Sequence, residues 1–264
     1  MTILAADEEI PLPDANTSVV VRVGDTVRRV PGYWTPAVHT LLRHLKAAGF
    51  EGAPRVLGFD ARGREMLTFI PGQTIPPSLT GYRSDATLAA VAALLRCCHD
   101  ATAEFRPAAS AAWRAGVGAP GVIEVMCHND IAPWNTIVRD GEPVAFIDWD
   151  FAAPGRRIWD VAYALWRFVP LYPDASFGSL AERAQRIRLF CDAYGLEDRR
   201  GLLAVVEWRQ AVHYSTLAAW AESGLPAFER LWREGHGEAM LRDLTWLRTH
   251  RVELERLIGG ARGA

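Results

Sequence analysis

A chain of 264 residues, half of them apolar, is long enough to bury a sizeable core as one large domain or two small ones. Its formal charge of −2 offers no basic footprint for a nucleic-acid or anionic-membrane partner, and no apolar run approaches the roughly 18 residues that span a bilayer. The N-terminal segment lacks the basic start and apolar stretch of a signal peptide, and the four cysteines are irregularly spaced, so the expectation is a cytoplasmic protein with reduced thiols.

From Ser18 to Val30 two β-branched runs meet at Gly24-Asp25, which predicts a tight hairpin. A helix follows. Pro36 suits its first turn, Val38, Leu41, Leu42 and Leu45 recur at helical spacing, and Gly49 suits its stop. The segments PRVLGFD and GREMLTFIPG read as two more short strands about a turn at Ala61-Arg62-Gly63, completing a small β lobe over residues 1–70. Residues 71–83, rich in proline and glycine, form the predicted connector. Residues 84–264 are mostly helical in pattern, with short strands around VMCHND, TIVRD and PVAFIDWD. On the first of these helices Cys97-Cys98-His99-Asp100 suggests a metal cluster on paper. Consecutive helical side chains diverge by about 100°, however, and core packing is the better account. The order of small β lobe, connector and larger helical lobe is an α+β plan.

The chemistry concentrates in Cys127-His128-Asn129-Asp130-Ile131-Ala132-Pro133-Trp134-Asn135, followed by Phe146-Ile147-Asp148-Trp149-Asp150. The spacing His-x-Asp-x-x-x-x-Asn, then an apolar strand ending in Asp, reproduces the catalytic loop and metal-binding aspartate of kinase-like phosphotransferases. Its physical logic is separable into tasks. Phosphoryl transfer needs charge neutralised by Mg²⁺, a hard cation that prefers oxygen ligands, and Asn135 and Asp148 are of that type. The attacking hydroxyl must be aimed and relieved of its proton, and Asp130 is the candidate base.

On these residues the chain resembles the aminoglycoside phosphotransferase family, which implies a two-lobed, protein-kinase-like fold and transfer of the γ-phosphate of ATP (or GTP), with Mg²⁺, to a small-molecule hydroxyl acceptor. The resemblance implies that Asp160 is a buried aspartate holding the catalytic loop through backbone hydrogen bonds. It gives His128 a packing and hydrogen-bonding role in that loop. Thr68 and Ile70, before Pro71-Gly72, would contact adenine through their backbones.

The chain also departs from the pattern. Lys46 is the only lysine among 29 basic residues and lies far along its helix, and no acidic residue occurs between Asp25 and Glu51. The strand lysine and helix glutamate that normally position the ATP phosphates are therefore both missing. Arg29, or failing that Arg28, is the only cation on the right strand, with His39 as its expected partner. Alternation along the strand predicts that Arg29 points into the cleft and Arg28 to solvent. The segment Pro13–Ser18, where a phosphate-covering loop would stand, contains no glycine. Asp150 departs from the family pattern, as a supporting group or a neighbour of the acceptor. From Asp150 onward 15 acidic residues face 16 arginines, a balance that does not favour a polycationic acceptor. The missing ion pair motivates an alternative, a catalytically silent nucleotide-binding protein that works in binding or immunity.

Overall fold

The computed structural model describes residues 8–12, 20–75, 84–114 and 122–260. The N-terminal part is a five-stranded antiparallel sheet in the order β1-β2-β3-β5-β4, formed by β1 (Ile10–Pro11), β2 (Val20–Val23), β3 (Thr26–Arg29), β4 (Val56–Phe59) and β5 (Glu65–Thr68). Gly24 turns the β2–β3 hairpin at a positive φ of 55°, a conformation that costs glycine little. Register decides the chemistry: β3 pairs with β5 so that Arg29 stands directly opposite Glu65 and Arg28 opposite Met66.

Helix α1 (Thr35–Ala47) has Pro36 in its first turn and buries Val38, His39, Leu41, Leu42 and Leu45, a face that also brings His39 over β5. The proline- and glycine-rich stretch expected as a connector contributes a strand of its own. Here β6 (Gln73–Thr74) pairs with β8 (Thr136–Arg139), which pairs in turn with β9 (Glu142–Phe146). Asp140 and Gly141, with φ of 50° and 85°, turn the β8–β9 hairpin, as a two-residue hairpin turn of this hand requires.

The remaining chain is helical: α2 (Asp85–Thr102), α3 (Arg157–Phe168), α4 (Leu180–Tyr194), α5 (Leu202–Glu222), α6 (Pro226–Arg233) and α7 (His236–Gly259). Ser84 caps α2 by accepting the Thr87 N–H, and Ser179 and Glu182 form a reciprocal capping box on α4. One continuous core runs from α1 through α2, α3, α4 and α5 to α7, with Leu41, Leu88, Leu95, Phe168, Phe190, Val206 and Leu254 fully buried. Against it lies a two-stranded ribbon of β7 (Val125–Cys127) and β10 (Ala153–Gly155). The loop after β7 and the turn before β10 carry the motif residues. Among the described residues no helix is long and apolar enough to cross a membrane.

Candidate active site

The loop leaving β7 is fixed from beneath by α3. Asp160, fully buried, accepts hydrogen bonds from the His128 N–H (2.7 Å) and the Asn129 N–H (2.8 Å), and faces His99 Nε2 at 3.2 Å. Burial raises the cost of its charge, but the hydrogen bond and charge of His99 outweigh that and hold its pKa below the ordinary carboxylate value. Asn129 has φ 68°, an unusual conformation for a non-glycine residue, and three bonds hold it there: the one to Asp160, one from its Nδ2 to Phe151 O (2.9 Å), and one from Arg209 Nη2 to its carbonyl (2.6 Å). His128 is buried, lies 3.0 Å from Ile147 O through Nε2, accepts the Asp130 N–H at Nδ1 (3.3 Å), and has its pKa lowered by burial. It ties the loop to Ile147, the residue that follows β9.

This scaffold presents Asp130 with both carboxylate oxygens engaged. Tyr163 O–H donates to Oδ1 at 2.6 Å, and Asn135 Nδ2 donates to Oδ2 at 2.8 Å and to the Asp130 carbonyl at 3.0 Å. Burial pushes the Tyr163 phenol far above its usual range, so it stays a donor. With Nδ2 committed to two acceptors, Asn135 turns its Oδ1 the other way.

Asp148 follows β9 in the left-handed conformation, φ 62°, a strained backbone that carries a partly exposed carboxylate. Arg29 reaches it from the sheet. Its guanidinium places Nε 2.5 Å from Glu65 Oε2, Nη1 3.2 Å from Asp148 Oδ1 and Nη2 2.6 Å from Asp150 Oδ1. The neighbouring Arg28 lies on the other side of β3, 3.6 Å from Asp60. His39 is not the direct partner of Arg29 that the sequence suggested. Its Nε2 lies 2.7 Å from Glu65 Oε1, and Glu65 stands between the two. The carboxylate missing from α1 is thus supplied by β5, across the register that sets Arg29 against Glu65. Burial raises the pKa of Glu65, yet its bonds to His39 and Arg29 leave it below its ordinary value.

Three carboxylates crowd the Arg29 guanidinium, and a second cation, Arg114, stands 3.8 Å from Asp150. Asp150 shows the effect, since burial and the nearby Asp148 raise its pKa despite Arg29. Arg29 Nη2 is close to Asp150 Oδ1 but aims no N–H at it, so this buried oxygen has no hydrogen bond. Hard oxygen donors on Asn135, Asp148 and Asp150 fit a divalent cation such as Mg²⁺. Among the described residues no three His, Cys, Asp or Glu side chains form a metal cluster.

At the end of β5, Thr68 donates its N–H to Arg55 O (2.9 Å) and accepts the Arg55 N–H on its hydroxyl (2.8 Å). Among the described residues the backbone of Ile70 makes no hydrogen bond, which makes it the freer of the two expected adenine contacts. The glycine-free segment Pro13–Ser18 lies outside the described residues.

Sequence reasoning missed Glu65, Tyr163, Arg209 and the role of His99. Each reaches the site through the fold from 31 or more residues away, save that Glu65 could have been found by aligning β3 against β5 about their turns.

An antiparallel sheet whose Arg29 reaches Asp148 on a mostly helical body defines the protein-kinase-like class of fold. The chain belongs to the phosphotransferase enzyme (APH) family, whose model matches residues 111–204. It is 35% identical over 267 residues to the trifolitoxin immunity protein of Rhizobium leguminosarum bv. trifolii, covering 94% of this chain and 98% of that one. Among solved structures it is similar to a choline/ethanolamine kinase family protein from Mesorhizobium loti (20% identity, 92% of each chain, TM-score 0.58). It is also similar to an amicoumacin kinase in complex with AMP-PNP and Ca²⁺ (15% identity, 79% of this chain and 80% of that one, TM-score 0.61).

Proposed function

We propose that the chain transfers the γ-phosphate of ATP or GTP to a hydroxyl of a small molecule. The observation that carries this reading is that Asn135 bonds Asp130 through its side chain and the residue before Asp148 through its backbone, while Arg29 of the sheet bonds Asp148. The nucleotide complex of the similar amicoumacin kinase supports it.

In this reading Asp130 orients the acceptor hydroxyl and takes its proton. Its oxygens are held by Tyr163 and Asn135, so the carboxylate needs no reorganisation when the acceptor arrives. Asn135 and Asp148, with Asp150 beside them, hold Mg²⁺, which when bound neutralises phosphate charge. Arg29 steadies Asp148 and faces the phosphates, with Glu65 and His39 fixing its angle. Ile70 and Thr68 meet the base. The lobes would be residues 1–70 and 84–264, about the connector 71–83.

The test separates binding from chemistry. Asp148→Ala should weaken Mg-ATP binding in calorimetry and abolish transfer together. Asp130→Asn should bind Mg-ATP nearly as the wild type does while ADP release with an acceptor falls by about 10²-fold or more. Full turnover by Asp130→Asn refutes the assignment of the base.

A second reading is favoured by one geometric fact. Every nitrogen of Arg29 lies against a carboxylate, which leaves little of it for phosphate, and the 35% identical relative is named as an immunity protein. On that reading the chain binds nucleotide or toxin without phosphoryl transfer. Wild-type protein that binds Mg-ATP but releases no ADP with any of a wide panel of hydroxyl compounds would establish it.

A further inference from the structure

A second arginine, Arg114, lies 3.8 Å from Asp150 and is unused by the chemistry above. The guanidinium carbon of Arg114 is 4.4 Å from the ring centroid of Trp34, 4.5 Å from Phe151, 5.3 Å from Phe228 and 5.4 Å from Trp220. The walls brace one another: Phe151 stacks on Trp220 at 5.6 Å and 17°, and Trp220 packs on Phe228 at 4.5 Å. A carboxylate completes the enclosure. Asp150 Oδ2 lies 3.8 Å from Arg114 Nη1.

These walls come from distant parts of the chain: the residue capping α1, the turn after Asp148, the end of α5, and α6. Ring faces converging on one point beside a carboxylate form a receptor for a cation, because the π-faces and the anion both favour positive charge there. Its occupant is a side chain of the same protein. The Arg114 side chain is only 12% exposed, and among the described residues it has no hydrogen bond, its contact with Asp150 being too long for one. Rings and charge alone hold it. Burial makes its charge costly, an effect that Asp150 and Asp148 oppose. Solvent exposure therefore cannot account for an arginine at this position.

We propose that Arg114 is a tethered cation filling a cation-binding box in the acceptor pocket, and that it determines specificity by excluding acceptors that carry an ammonium or guanidinium group at that point. The acceptor class that remains is uncharged or anionic hydroxyl compounds, in keeping with the excess of one arginine over the acidic residues from Asp150 onward. The word acceptor rests on the phosphotransferase reading; the filled box does not.

Arg114→Ala should vacate the box. Tetramethylammonium, a cation without hydrogen-bond donors, should then bind with a Kd on the order of 1 mM and change the fluorescence of Trp34 and Trp220, the scale of a few kcal/mol from ring faces. The wild type and Arg114→Lys, which returns an ammonium to the box, should show no saturable response. If the alanine variant does not fold, Arg114→Gln keeps most of the stem without the charge and should bind the probe in its place. Equal binding by the wild type, or no binding by a neutral variant whose circular dichroism matches the wild type, overturns the proposal. Failure of the phosphotransferase reading has a different signature: no ADP release with any acceptor, whatever the probe does.

Discussion

Glu65 has Arg29 on one oxygen and His39 on the other, and its side chain is 1% exposed. Glu65→Ala leaves Arg29 Nε and His39 Nε2 without their acceptor while Arg29 keeps Asp148 and Asp150, so it should cost about 1–3 kcal/mol in urea denaturation, the scale for a buried polar group left unsatisfied. Tyr163 presents a quieter case. Tyr163→Phe removes one donor to Asp130 without changing shape, and loss of a charge-assisted hydrogen bond of about 1.5 kcal/mol predicts a fall in kcat of roughly tenfold with the acceptor KM little changed. Asp150 runs the other way. Its pKa is raised by burial and by Asp148, so its ionised form is less favourable folded than unfolded, and this penalty is present above the raised pKa and relieved as pH falls through it. Asp150→Asn should therefore raise the melting temperature of the ligand-free protein at neutral pH while weakening Mg-ATP binding, a trade of stability against function seen when an active site holds unfavourable charge. Unchanged Mg-ATP affinity in that variant would remove Asp150 from the cation site.

At the scale of elements, the loop after β7 is held by α3 through Asp160. Because burial is outweighed by its hydrogen bonds and its pKa is lowered, Asp160 stabilises the fold above its ordinary value near 3.8, and that contribution is lost as pH falls below it. Asp160→Asn should flatten this acid limb in a series of denaturation curves. A limb of undiminished steepness would show that the loop is held by other groups. The β8–β9 hairpin carries Asn135 and Asp148 at its two ends, and it turns on Gly141 at φ 85°. Gly141→Ala should cost about 1–2 kcal/mol of stability, since a Cβ is disfavoured in that conformation.

Over the whole molecule, the legible part was the part encoded locally. Asp130, Asn135 and Asp148 stand within 19 residues of one another in a loop and hairpin whose spacing is set by backbone geometry, so their convergence could be read directly. The strands and helices followed from periodicity and glycine placement, and the alternation of β3 separated Arg29 from Arg28. What escaped depended on register and docking. Glu65 lies 36 residues from Arg29, and β6 was hidden in a stretch whose prolines and glycines signal a linker. His99, dismissed with its cysteine neighbours as core, is indeed buried but bonds the aspartate that holds the loop. Arg114 sits among rings from four elements, and no local pattern announces that. The arrangement around Arg29 also bears on how such a site can change over time. A guanidinium has three nitrogens for three carboxylates, whereas lysine has one compact ammonium that cannot serve all of them. Exchange for the usual strand lysine and helix glutamate would require Arg29→Lys, a glutamate in place of His39 and loss of the charge at Glu65; the first alone strips carboxylates of their donors, the second sets two buried carboxylates together, and the third takes the anion from beside His39. The single changes should each lower stability by more than the triple change does, a departure from additivity measurable in one denaturation series. The arginine and the strand lysine of the usual pattern are therefore not exchangeable one substitution at a time, whatever the site is used for.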